Sequence, residues 1–155
     1  MKVRHLVREQ LLGGSLGDVF AFFTDVRNLE RITPPWMGFR ILTTQPVTLG
    51  QDATIDYSIR LVLVRLRWRT RIVDWQPGVR FVDVQERGPY ALWEHTHSFD
   101  DTGAGVLMRD QVRYALPFGP LGSLAHAVVV RASLRRIFDY RRDLLAERFP
   151  PPGAR

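Results

Sequence analysis

Two histidines and an aspartate are the residues of this sequence best suited to acid–base chemistry. His95 and His97 stand two positions apart in the segment Tyr90–Phe99, and Asp110 lies in the segment Val106–Tyr114. Side chains two apart on a strand share a face, and a short turn between the segments would bring Asp110 beside His95. A carboxylate that orients an imidazole makes a general base for removing a proton alpha to a carbonyl. We therefore predict His95 and Asp110 as a catalytic pair.

The same residues allow two other interpretations. Buried histidines and carboxylates on a sheet face usually satisfy one another's hydrogen bonds, which favours a structural or ligand-binding role. Histidines two apart can also begin a zinc site, with Asp110 as a third donor and Asp83 or His5 as a further one. Because that spacing is a weak signal by itself, the sequence predicts no metal.

Other kinds of catalytic site are not supported by the sequence. There is no cysteine, which excludes disulfides, thiol catalysis and thiolate metal sites. There is no Gly-x-Ser-x-Gly elbow for a serine nucleophile. The segment Gly13–Gly17 lacks the lysine of a phosphate-binding loop and is typical of a strand-to-helix turn. We therefore predict no nucleotide or other cofactor.

Alternation of apolar and polar residues places these groups on a sheet. We expect seven strands, at about 2–12, 39–43, 53–64, 67–75, 81–85, 90–99 and 106–114, and the short connections favour an antiparallel meander. On the inner face we expect Trp93, His95, His97 and Phe99 beside Met108, Asp110, Val112 and Tyr114, with Arg109 and Arg113 facing water. The further polar groups expected to point inward are His5, Tyr57, Asp83 and Gln85.

Helical spacing of apolar residues appears twice. Ser15 is a candidate N-cap for a helix over Leu16–Thr24, and Asp25–Ile32 can add another turn or two before the prolines that follow. The spacing in Ser123–Phe149 predicts one amphipathic helix of about 27 residues, roughly 40 Å long. Its apolar stripe needs the sheet as a partner. Since a long helix cannot touch the whole of a curved sheet, we expect a gap between them.

Composition indicates one domain at 1–149, followed by a disordered tail at 150–155. The net charge of +6 comes from 21 arginines and one lysine. The stripe Arg65, Arg67, Arg69 and Arg71 lacks interleaved exposed aromatic residues, so we predict a solvated face and no nucleic acid. There is no long apolar run for integral membrane association and no signal peptide near Met1. We expect a cytoplasmic protein.

The order of elements and several motifs resemble the helix-grip fold of the START-like (SRPBCC) superfamily, and within it the bacterial polyketide cyclase/dehydrase-like branch. The motifs are Phe20–Asp25, Asn28-Leu29, Ile32–Trp36, Gly50, Ile55–Tyr57, Trp68, Trp75, Phe81–Gln85, Gly88–Tyr90, Trp93–His95, His97, Phe99, Asp110 and Val112–Tyr114. The resemblance implies an α+β fold in which a curved seven-stranded antiparallel sheet wraps around a long C-terminal helix, with two short helices after the first strand. It also implies a ligand between that helix and the sheet.

Three functional hypotheses follow. The leading one is binding or transport of a small hydrophobic molecule, such as a polyketide, isoprenoid, quinone or lipid. The second is a polyketide aromatase/cyclase that uses His95 and Asp110. The third is a regulatory or assembly module that forms a homodimer through a strand edge or helix. The predicted ligand-binding residues are Trp36, Phe39, Tyr57, Trp68, Asp83, Gln85, Trp93, His95, His97, Phe99, Met108, Tyr114, Phe118 and Val128, with Trp36 and Phe118 at the entrance.

Overall fold

The computed structural model describes residues 1–44, 46–61, 63–120, 124 and 129–153. They form one seven-stranded antiparallel sheet in the order β1-β7-β6-β5-β4-β3-β2, so the first and last strands are neighbours. The strands are β1 (Arg4–Leu12), β2 (Arg40–Ile41), β3 (Thr54–Leu61), β4 (Val64–Gln76), β5 (Arg80–Arg87), β6 (Leu92–Asp101) and β7 (Val106–Ala115). The helices are α1 (Leu16–Thr24), α2 (Val26–Ile32) and α3 (Arg131–Arg148). The α+β architecture predicted from the sequence is confirmed.

The two short helices begin at side-chain caps. The Ser15 hydroxyl accepts a hydrogen bond from the Asp18 amide at 3.1 Å, and the Asp25 carboxylate accepts one from the Arg27 amide at 3.0 Å. Such caps satisfy amide groups that the first turn leaves without a partner. They therefore fix where α1 and α2 start, as the sequence predicted for α1.

The larger apolar core lies where α1 and the end of α3 meet the sheet. Val19 and Phe23 of α1 are buried there with Phe99 and with Leu145 and Phe149 from the C-terminal side. The rings of Phe23 and Phe99 are 5.3 Å apart. This core joins α1 and the C-terminal end of α3 to the sheet, and so holds α3 against the inner sheet face.

One hairpin differs from the sequence prediction. We expected an unbroken strand over 53–64, but Leu61 pairs directly with Val64, so the chain reverses between them. Sequence patterns could not reveal this turn, because residues 61–64 include no glycine, proline, asparagine or aspartate. Two register shifts interrupt the pairing of β4 with β5, and such bulges bend and twist a sheet.

The inner face of β1 is the opposite of the one we expected. His5 is exposed and Val7 is 50% exposed, so the prediction that His5 points inward is wrong. The β1–β7 register places Leu6 beside Val112 and Arg8 beside Asp110, and residues paired in this way share a face. Most of the described part of the predicted C-terminal helix belongs to α3, while Val128 lies outside the described residues.

Gly13 lets the end of α3 approach the end of β1. Its amide donates to the Phe149 carbonyl at 3.2 Å, and a Cβ at Gly13 would collide with the Pro150 carbonyl oxygen.

Gly13→Ala should therefore destabilise the protein by about 1–3 kcal/mol, as overpacking does. Urea denaturation would measure the change in the free energy of unfolding. Gly17→Ala is the control, because its nearest atom would be Ser15 Oγ at 3.8 Å; equal stability of the two variants would contradict this account.

Candidate functional site

Four polar side chains meet on the inner face of the central strands. Asp83 of β5 is paired with His95 of β6 in the strand register, and His97 of β6 is paired with Asp110 of β7. Directly opposed residues on antiparallel strands have Cβ atoms about 5 Å apart. Three consecutive strands therefore deliver two carboxylates and two imidazoles to one spot, which we call the His–Asp cluster.

The His–Asp cluster is hydrogen-bonded internally. His95 Nε2 lies 2.7 Å from Asp110 Oδ1, and His97 Nε2 lies 2.9 Å from Asp83 Oδ2. His97 Nδ1 is also 3.0 Å from Asp110 Oδ1, although the angle there is too bent for a hydrogen bond. The two imidazole rings are 3.7 Å apart between centroids. Each histidine thus has a carboxylate of its own, and Asp110 faces both.

Arg141 of α3 brings a further positive charge to the cluster. One of its terminal nitrogens is 3.9 Å from Asp110 Oδ1, and its side chain is 12% exposed. The guanidinium also lies over the rings of Phe23, at 5.3 Å, and Phe138, at 5.9 Å. The sequence did not identify Arg141, because an arginine between the apolar positions of an amphipathic helix normally faces solvent.

The surroundings give the two histidines different protonation states. Burial lowers the pKa of His95, and the neighbouring His97 lowers it further. Burial also opposes charge on His97, but its contacts with Asp110 and Asp83 outweigh that effect and raise the pKa of His97. Burial disfavours an ionised Asp110, yet Arg141 and His95 hold the pKa of Asp110 well below its usual range. The cluster therefore shifts the two imidazoles in opposite directions, favouring the protonated form of His97 and the neutral form of His95.

The ionised state of Asp110 determines which nitrogen of a neutral His95 carries the proton. An ionised carboxylate can only accept hydrogen bonds, so the Nε2–H of His95 must donate to Asp110. The lone pair of His95 then resides on Nδ1, which forms no hydrogen bond with any described residue and lies 3.9 Å from the nearest Asp83 oxygen. His95 is therefore a neutral imidazole with one nitrogen fixed by a carboxylate and the other available as a base.

The cluster also contains a set of potential metal ligands. Donor atoms of Asp83, His95 and His97 all lie within 4.8 Å of one another. However, His97 Nε2 already bonds Asp83 at 2.9 Å, and a metal ligand must give up its proton. Coordination would thus break this hydrogen bond and remove a proton that the two carboxylates favour on His97. We keep the prediction that the site holds no metal.

A wall of aromatic rings continues from the cluster toward β4 and β3. Trp93 lies 6.4 Å from His95 and 5.3 Å from Trp68, and Trp68 stacks on Tyr57 at 5.8 Å. Tyr90 touches both tryptophans, at 5.6 and 4.8 Å. We call Tyr57, Trp68, Tyr90 and Trp93 the aromatic wall. The predicted ligand-binding set did not include Tyr90.

Polar atoms are buried within the aromatic wall. The indole Nε1 of Trp68 is buried and has no hydrogen-bond partner among the described residues. The Tyr57 hydroxyl reaches Thr70 Oγ1 at 3.3 Å. Burial raises the pKa of Tyr57 and of Tyr90, so both phenols stay protonated at neutral pH. The wall therefore presents apolar ring surface together with an indole N–H that no acceptor occupies.

The other predicted ligand-binding residues have separate positions. Phe99 and Met108 belong to the α1 core, Gln85 binds the Tyr90 backbone at 2.8 and 3.2 Å, and Phe39 packs on Tyr57 at 4.8 Å. Tyr114 is buried beside Val112 and Phe138. Trp36 is 45% exposed and packs on Tyr140 and Arg136, while Phe118 is 80% exposed.

Two spaces border these elements. A cavity of about 30 Å³ next to Asp110, lined also by Arg8, Met108 and Arg141, has room for a water molecule. A groove of about 650 Å³ lies between α1, α2 and the end of α3, away from the His–Asp cluster. None of the described residues lining that groove belongs to the predicted ligand-binding set. Beneath α3, the rings of the aromatic wall and Phe138 fill the space next to the cluster.

Comparison with known proteins adds the fold family. A protein from Thermus thermophilus is 13% identical with a TM-score of 0.70, over 94% of this chain and 99% of that chain. An aromatase/cyclase from a Streptomyces species is 15% identical with a TM-score of 0.67, over 96% and 98%. The chain has the helix-grip fold. The predicted resemblance to the START-like superfamily is thereby confirmed at the level of the fold.

A third similar structure belongs to a longer protein. A nucleoside-diphosphate sugar epimerase from Corynebacterium glutamicum is 24% identical with a TM-score of 0.68, and the match covers 92% of this chain but 28% of the epimerase chain. No family model and no curated protein sequence matches the chain. The helix-grip assignment therefore rests on three-dimensional similarity, and the finer cyclase/dehydrase-like branch stays a prediction.

Loss of the Asp110 charge should destabilise the helix-grip fold in a pH-dependent way. The pKa of Asp110 lies below its ordinary value of 3.8 in the folded state, so its ionised form stabilises the fold above that pH and less as the pH falls through the folded-state pKa. Asp110→Asn should cost about 3–5 kcal/mol near neutral pH, and the difference from the parent protein should shrink in acid. Denaturant unfolding between about pH 3 and 7 measures this.

Asp100→Asn is the matched control, since Asp100 is an exposed residue of the same hairpin. Its effect on the free energy of unfolding should be within about 0.5 kcal/mol. A difference for Asp110→Asn that stays constant across the pH range would contradict the charge-based account.

Proposed function

We propose that the protein binds or transports a small hydrophobic molecule that carries a hydrogen-bond acceptor, such as a polyketide, isoprenoid, quinone or lipid. The observation that carries this proposal is the aromatic wall with its buried, unpaired indole N–H at Trp68. Pockets for small molecules are mostly apolar, with a few polar groups that fix orientation. The wall has this composition.

The unpaired N–H of Trp68 favours a ligand with an oxygen acceptor. A buried donor without a partner costs about 1–3 kcal/mol, and a ligand carbonyl or hydroxyl next to Nε1 would remove that cost. Trp68 is 5% exposed, whereas Tyr57, Tyr90 and Trp93 are half-buried. Rotation of these half-buried rings is the step that would admit a ligand to the indole. A molecule with a flat apolar body and a carbonyl edge suits both features.

Trp68→Phe tests the role of the indole N–H. The variant keeps an aromatic ring but removes the donor, so affinity for a naphthoquinone probe should fall about three- to tenfold, the value of one neutral hydrogen bond. Calorimetric titration measures the affinity, and native mass spectrometry of the purified protein shows whether it retains a bound molecule. Trp75→Phe is the control, because Trp75 packs on Phe20 and Phe81 in the other core. Equal losses in both variants would refute the assignment.

A second function, aromatase or cyclase activity, is favoured by the state of His95. Its Nε2–H is held by Asp110 at 2.7 Å, and its Nδ1 is available as a base. Trp93 connects this imidazole to the aromatic wall, so a bound polyketide could present an acidic C–H to it. His95 would take a proton alpha to a carbonyl, the resulting enolate would attack a second carbonyl in an aldol cyclisation, and the imidazolium would return the proton to the alkoxide that forms. Asp110 would stabilise the imidazolium that forms.

His95→Gln separates the two functions. If His95 is a general base, turnover of a model poly-β-keto thioester should fall at least about 100-fold, while affinity for the naphthoquinone probe changes little. The rate of the parent enzyme should also fall in acid, as His95 takes up a proton. His5→Gln is the control, since His5 is exposed. Unchanged turnover in His95→Gln would remove the cyclase function and leave ligand binding.

A further inference from the structure

The hairpin between β3 and β4 exposes apolar residues at its tip. Leu61 pairs with Val64, so the connection consists of Val62 and Leu63, of which Leu63 is described. Two-residue hairpins normally use asparagine, aspartate or glycine, and branched apolar residues are poor choices. Leu63 is 91% exposed and Val64 is 59% exposed. Local rules are usually broken at functional positions, and here the departure presents aliphatic groups to the surroundings.

Arginines follow directly behind this tip on the outer sheet face. In the strand register Arg60 is opposite Arg65, and in the next row Ser58 lies between Arg67 of β4 and Arg40 of β2. Four arginines thus occupy two rows that hold no acidic residue. We call Arg40, Arg60, Arg65 and Arg67 the arginine rows.

Acidic residues enter only further from the tip. Asp56 lies in the third row, where Arg69 binds it in a bidentate salt bridge at 2.8 and 2.9 Å. Arg65 donates to two neutral groups, the Gly38 carbonyl at 3.1 Å and Ser58 Oγ at 2.9 Å. Within the described part of the chain, no arginine of the two rows forms a salt bridge. Like charges directly opposite each other destabilise a sheet, and Asp56, whose charge also acts on Arg67, is already bound by Arg69.

We propose that this hairpin docks on an anionic phospholipid bilayer. Leu63 and Val64 enter the boundary between headgroups and acyl chains, and the arginine rows bind the lipid phosphates. Successive rows on one face are roughly 7 Å apart. When the tip touches the bilayer, both rows therefore lie near the distance of about 10 Å over which the lipid charges act in salt solution. Apolar groups next to basic ones are the features of interfacial membrane binding. The described residues include no helix that could span a membrane, and the docking is peripheral.

The apolar tip decides between a membrane and a nucleic acid. A nucleic acid would also be attracted by the arginine rows, but single strands are bound by stacking on exposed aromatic rings. Leu63 and Val64 offer aliphatic surface, which a bilayer buries and a nucleic acid does not. The partner that uses both the charge and the apolar tip is the lipid surface.

Vesicle flotation of the full chain tests the tip. The protein should float with phosphatidylcholine vesicles that contain phosphatidylglycerol, and much less with phosphatidylcholine alone. Leu63→Asp should lower the partition coefficient at least about tenfold, because a charge would enter the apolar boundary. Val7→Asp is the matched control, since Val7 is 50% exposed on β1, and it should float like the parent protein.

A second pair of variants tests the charge. Arg60→Gln combined with Arg67→Gln should lower partition to the anionic vesicles by roughly tenfold or more. Arg131→Gln combined with Arg135→Gln removes two exposed arginines of α3 and should have little effect. Thermal unfolding checks that each variant is folded. The proposal is overturned if the parent protein does not prefer anionic vesicles, or if Leu63→Asp floats normally. An oligonucleotide could instead compete with the vesicles for the protein. If Leu63→Asp leaves that competition unchanged, the arginines are assigned to nucleic acid.

Discussion

Two carboxylates buried on one sheet face require positive charge next to them, and the arrangement of the site follows from this requirement. Asp83 and Asp110 both lie inside the fold, where unpaired charge is expensive. His97 contacts both of them, and Arg141 approaches Asp110. Contact with these carboxylates outweighs burial at His97 and raises its pKa. At His95 burial and the neighbouring His97 prevail and lower the pKa, so the two adjacent imidazoles shift in opposite directions.

This balance connects the helix to the sheet. The carboxylates come from β5 and β7, whereas Arg141 comes from α3 and its guanidinium lies over Phe23 of α1. A shift of α3 would therefore disturb the charge next to Asp110 as well as the apolar packing. Gln10 of β1 adds a further tie by donating to the Arg142 carbonyl at 2.8 Å. The position of the helix and the ionisation of the cluster depend on each other, so a ligand that displaced the helix would also change the basicity of His95.

The sequence predicted the cluster because β6 and β7 alternate strictly, and alternation determines the face of every residue once the strand is known. It failed for His5 because the apolar residues of β1 lie on both faces. Its inner face carries Arg8, which lines the small cavity beside Asp110, and Gln10, which donates to the Arg142 carbonyl of α3. Arg141 was missed for a related reason. Helical periodicity assigns an arginine to the solvent-facing side of a helix and carries no information about a partner on another element. Pairing across strands and helices is not encoded in local spacing.

The departures from local rules have a common physical meaning. Arg141 is a charged helix residue that is only 12% exposed, and Leu63 is an apolar residue exposed at a turn. Each costs stability in isolation, and each becomes favourable only with a partner of the right chemistry. For Arg141 that partner is inside the protein, since Asp110 is held there by the strand register. For Leu63 no such partner exists among the described residues, and the partner we propose lies outside the chain, in an apolar phase with negative charge at its edge.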